Sequence, residues 1–163
     1  MIWTADLDAA ARAHAQETYP AECCGLLLAP GAGPDTGAEA EAPTAAIYRR
    51  CDNTQRQDPA LDPDGAARGA ETAFHLDGGQ IVRAEREGFE IRGIVHSHPD
   101  HDAYFPAMDR QVATWQLGDD LPPEPAYPGV SYLVISVRAG VAGDQRWFLW
   151  DDGAGDFVQG VAP

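Results

Sequence analysis

At 163 residues, 44% of them apolar, the chain is long enough to bury one core without disulfides or metals as staples. Its 26 acidic residues against 11 basic ones give a net charge of −15, a surface that repels phosphate backbones and argues against nucleic acid as a partner. No apolar run approaches the length of a membrane span, about 18 residues, and the opening MIWTADLDAAARAHAQE lacks a basic start followed by an apolar stretch. The expectation is a single cytoplasmic domain over residues 1–163, with no membrane partner. Every basic side chain is arginine; a coding bias accounts for that, and a chain without lysine also offers no side-chain acceptor for an isopeptide bond. Cys23, Cys24 and Cys51 are odd in number and the first two are adjacent, so they form no disulfide framework. Cys23 and Cys24 read as small buried hydrophobes.

In chain order, the first predicted element is a helix from Asp6 to Thr18, capped by Thr4 or Asp6 and stopped by Pro20. The run CGLLLA, residues 24–29, reads as a buried strand. Residues 30–44 are almost entirely Pro, Gly, Ala, Thr and acid, which predicts a flexible loop. A strand resumes over 45–50. Residues 52–70 are polar and carry Pro59, Pro63, Gly65 and Gly69, predicting a long insertion loop of the kind that often carries function. A short strand is expected over 74–76, a helix over 80–88 ended by Gly88, and the strongest strand over 89–98, FEIRGIVHSH. Asp109 opens a helix expected to run to Leu117, with Trp115 in the core. SYLVISV and RWFLWDD read as further strands, and Phe157 starts a last short one. Strands and helices are mixed without βαβ repetition, so the expected class is α+β, a mostly antiparallel central sheet flanked by helices.

The chemistry lies in His96-Ser97-His98-Pro99 and in Asp109, eleven residues after His98. Residues two apart on a strand share a face, so His96 and His98 point the same way at the strand's end. Asp109 opens the next helix, which can fold back over that end. Two imidazoles and a carboxylate make a three-ligand catalytic zinc site with the fourth position left for water; Fe²⁺ or Co²⁺ would also fit. A carboxylate beside such a site can take a proton from water and hand it to a leaving amine. Acidic residues are many, and spacing alone does not choose among them.

Glu22 lies in YPAECCGLLLA and the histidines in GIVHSHPDHDAYFPAMD. Together these segments resemble the JAMM (MPN+) metalloprotease family, in particular its small prokaryotic branch. That family carries a Glu before an early strand, then His-x-His-Pro, six residues, Ser, two residues and Asp. The resemblance spans nearly the whole chain. It implies the MPN fold, related to that of cytidine deaminases, with Zn²⁺ on His96, His98 and Asp109 and with Glu22 as the catalytic base. It also implies hydrolysis after the C-terminal glycine of a ubiquitin-like or sulfur-carrier protein with a diglycine C-terminus.

One position departs: Pro106 stands where the family has the Ser whose hydroxyl steadies the oxyanion. Proline offers no donor, and losing one such donor costs on the order of 10²–10³ in rate. Ser97 is expected to point away from both histidines, and Tyr104 is a candidate substitute hydroxyl. Asp100, His101 and Asp102 read as a solvated acidic rim, with His101 a lesser candidate for a ligand or proton carrier. Arg49, Arg50 and the loop 52–70 are candidates to grip an acidic modifier surface, with an ordinary surface as the plain reading. The alternative function is a catalytically weak or inactive zinc-binding MPN scaffold or interaction subunit, which Pro106 favours and the intact ligands oppose. A zinc deaminase would need a Cys-x-x-Cys pair, which the adjacent Cys23 and Cys24 do not provide.

Overall fold

In the computed structural model, residues 2–31, 43–55, 69–116, 118 and 121–163 are described. Most of the two expected loops, 30–44 and 52–70, lies outside the described residues. The first helix, α1, spans Ala5–Thr18; the Thr4 hydroxyl caps it by accepting from the Leu7 N–H, and Asp6 and Asp8 suit the positive end of its dipole. Strands β1 (Cys24–Pro30) and β2 (Ile47–Cys51) follow. Helix α2, Gly78–Arg86, is capped by Asp77 and ends before Gly88, whose φ of 86° only glycine adopts freely. Next come β3 (Phe89–Pro99), α3 (Ala107–Ala113), β4 (Thr114–Trp115) and β5 (Glu124–Pro125). The chain closes with β6 (Ser131–Arg138), β7 (Val141–Asp151) and β8 (Asp156–Gly160).

Six strands form one mixed sheet in the order β2-β1-β3-β6-β7-β8. Only β3 and β6 run parallel; the other pairs are antiparallel, so the class is α+β as expected. Each face of the sheet carries its own core. Leu27, Val95, Leu133, Ile135 and Trp147 pack with Trp3, Ala11 and Ala15 beneath α1. Leu26, Leu28, Ile94, Val134 and Phe148 pack on the other face with Ile81 and Ala84 of α2 and with Phe105 and Phe157. The continuous apolar run of β1 follows from this, because both of its faces are covered. No helix among the described residues is long and apolar enough to cross a membrane.

Four expectations need correction. Residues 74–76 form no strand, only a single bridge between Asn53 and Leu76. The third helix starts before Asp109 and ends at Ala113, because Thr114 turns extended (φ −124°, ψ 160°) and enters β4. Its only buried residue is Ala113, so no apolar face holds a longer helix in place. Trp115 is accordingly on a two-stranded surface ribbon with β5 and is 54% exposed, not in the core. Strand β7 also begins five residues before RWFLWDD, since hairpin pairing with β6 extends it through polar VAGDQ.

The three cysteines are free and buried. Burial pushes the Cys23 and Cys51 thiols up to about 11 and raises Cys24 as well.

Candidate metal centre

His96 and His98 sit at the C-terminal end of β3, buried at 0% and 6% exposure. Parallel pairing with Val134 and Ser136 of β6 on one side, and Cys24 of β1 opposite His96 on the other, fixes the strand there. Ser97, one residue out of phase, faces the α1 side, where its Oγ accepts from the Cys23 N–H at 2.8 Å. It is therefore not available to the histidines, as alternation requires.

Helix α3 brings Asp109 back over the strand end. His96 Nε2 lies 2.9 Å from Asp109 Oδ2, His98 Nε2 lies 3.4 Å from the same oxygen, and the two Nε2 atoms are 3.2 Å apart. Bonds of about 2.0–2.1 Å in tetrahedral geometry set donors about 3.3–3.4 Å apart, so this triangle fits one face of a small tetrahedral ion. Among the described residues, these three form the group of His, Cys and acidic side chains placed so that it could hold a metal ion. His98 Nδ1 is 3.0 Å from the Asp102 carbonyl. A carbonyl only accepts, so Nδ1 carries the proton and Nε2 presents its lone pair to the centre.

Burial drives the Asp109 carboxyl up, but hydrogen bonds and charge from His96 and His98 outweigh it and hold the group well below the usual carboxylate range. Burial lowers His96, and Asp109 only partly offsets this. Burial also opposes the charged form of His98, yet Asp109, the Glu22 charge and the Asp102 carbonyl raise it on balance. The site thus presents an ionised carboxylate, which ligation requires.

Glu22 is 6% exposed and lies just before β1. Its N–H donates to the Ala70 carbonyl at 2.6 Å, and its own carbonyl accepts from Asn53 Nδ2 at 2.9 Å. It lines a cleft of about 290 Å³ together with Thr72, His98, His101, Tyr104, Pro106 and Asp109. The sequence-predicted residues therefore meet: Glu22, His98, Asp109 and position 106 share one cleft, and the fully buried His96 reaches it through Asp109. Pro106 is the N-cap of α3 (φ −70°, ψ 165°) and provides no side-chain cap, so it withholds a donor from the cleft and an acceptor from the helix. Tyr104 sets its ring edge-on to His98 at 5.2 Å.

Other candidates are placed differently. Asp100 accepts from the Tyr19 hydroxyl and the Ala139 N–H, and Asp102 pairs with Arg138, so the rim ties the β3–α3 loop to α1 and the β6–β7 turn. Arg49 pairs with Glu87 and Arg50 with Glu17. Sequence reasoning passed over Thr72, Asn53 and Phe74, which lie in irregular segments where no periodicity marks them.

The sequence model of a family described as prokaryotic homologs of the JAB domain matches residues 4–150. The chain belongs to that family. The matched span includes Glu22, His96, His98, Pro106 and Asp109. No curated protein matches the chain. Among solved structures, a protein from Salinibacter ruber is 25% identical with a TM-score of 0.59, the likeness covering 99% of this chain and 89% of that one. A protein from Desulfitobacterium hafniense, 20% identical with a TM-score of 0.57, covers 96% and 87% and shares the fold.

Proposed function

We propose that this chain is a zinc-dependent peptidase or isopeptidase that cuts after the C-terminal glycine of a ubiquitin-like or sulfur-carrier protein, attenuated by Pro106. The observation that carries the reading is the convergence of two imidazole nitrogens and one carboxylate oxygen beside the cleft that Glu22 lines. Donors of this kind suit Zn²⁺. When bound there, zinc would act as a Lewis acid on the scissile carbonyl and make water a better nucleophile at neutral pH. Glu22 takes a proton from the attacking water; a C–O bond forms, the glycyl C–N bond breaks, and Glu22 gives the proton to the departing amine. The Asp102 carbonyl keeps His98 in one tautomer throughout. An extended tail ending in two glycines suits a narrow cleft, and three free cysteines suit a reducing cytoplasm.

The second reading, a scaffold without turnover, rests on Pro106, which gives the oxyanion no donor. Cleavage of a panel of diglycine-linked ubiquitin-like fusions by zinc-loaded wild type and Pro106→Ser separates the two. Cleavage by wild type, faster in Pro106→Ser, supports the enzyme. Silence of both proteins gives the scaffold.

A further inference from the structure

The two histidines are held in different ways. His98 has the usual arrangement for a metal ligand, its second nitrogen donating to a backbone carbonyl. His96 Nδ1 is buried and has no hydrogen-bond partner among the described residues. The ring is instead stacked on Phe74, centroids 4.4 Å apart and planes 21° apart. Phe74 lies outside every helix and strand, so the regular structure does not fix it.

Its neighbours do. The Ala73 carbonyl accepts from Asn53 Nδ2 at 3.0 Å, and the His75 N–H donates to Asn53 Oδ1 at 3.0 Å, so one amide grips the backbone on both sides of Phe74. The same Nδ2 donates to the Glu22 carbonyl at 2.9 Å, and the same Oδ1 accepts from the Gln55 N–H at 2.9 Å. A primary amide offers two donor hydrogens and two acceptor lone pairs, and here all four are used. The backbone of Glu22 and the Phe74 ring are thereby set in one frame.

We infer that Asn53 is a positioning residue of the metal centre, holding Phe74 against the His96 ring, whose Nδ1 side has no hydrogen bond among the described residues, and holding the Glu22 backbone through a single saturated amide. The inference rests on the metal site of the proposed function and extends it to residues that touch no metal. Asn53→Asp keeps the shape but turns both donors into acceptors facing two carbonyl oxygens. Phe74→Ala removes the plate and leaves the amide.

The test uses the full chain, with circular dichroism and a melting curve to establish folding. Amide exchange at Glu22 and His75 is followed without metal, and zinc affinity is measured by competition with a chelator. Asn53→Asp is expected to speed exchange at both amides and weaken zinc by about 10–100-fold, the usual effect of losing a ligand's support. Phe74→Ala is expected to weaken zinc by a similar factor while the Glu22 amide stays protected, and the double variant to be no weaker than Asn53→Asp. If Asn53→Asp fails to fold, Phe74→Ala carries the affinity arm. A folded Asn53→Asp or Phe74→Ala with zinc affinity within about threefold of wild type overturns the inference. If the variants show these shifts while neither wild type nor Pro106→Ser cuts a diglycine fusion, the hydrolase reading falls and the inference stands. A wild type that holds no zinc overturns both.

Discussion

On one face of β3, Val95 and Ser97 point into the core beneath α1; on the other, Ile94, His96 and His98 point toward α3 and the cleft. The first face is closed: Leu133 and Ile135 are fully buried there, and the Ser97 hydroxyl accepts from the Cys23 N–H. The second face buries two imidazoles and most of a carboxylate whose principal partners are one another. Burying such groups costs free energy that apolar packing does not, and a metal ion shared by all three would offset it. Alternation along a single strand thus separates what holds the sheet together from what would bind a ligand.

The comparison breaks most sharply at the ligands. Asp109→Ala is expected to abolish stoichiometric zinc binding, read by metal analysis after gel filtration; retained zinc would place the site elsewhere. Leu133→Ala, on the closed face, should cost about 2–5 kcal/mol in denaturant unfolding yet leave one zinc per chain. A loss of zinc there would show that the two faces are not separable. Pro106→Ser should raise the cleavage rate by up to about 10²–10³, since it supplies one oxyanion donor, with little change in zinc affinity. The smallest expected effect lies at the cysteines. Burial keeps Cys23 and Cys51 near 11, so at pH 8 both are neutral thiols and should resist a disulfide reagent in the native chain, reacting only after unfolding. Fast native labelling would mean that the β1–β2 edge opens readily.

Much of this was legible in the sequence, for identifiable reasons. His96 and His98 declare themselves by period-two spacing on an apolar strand, and the α+β class follows from mixed elements without βαβ order. Glu22 and Pro106 were legible only through family resemblance, because nothing in the spacing joins residues 22 and 109. What escaped was set by tertiary contact. Trp115 looked like core until Thr114 turned extended and the surface ribbon with β5 formed. Asn53 and Phe74 sit in segments without periodicity, and their importance depends on a fold that brings residue 53 between residues 22 and 74.

The most direct test of the central claim compares zinc-loaded wild type with Glu22→Gln on one diglycine-linked fusion that wild type cuts, with zinc content measured in the same samples. The account predicts equal zinc in both proteins and a rate lower in Glu22→Gln by about 10²–10⁴, the contribution of a positioned base. Equal zinc with equal rates would contradict it.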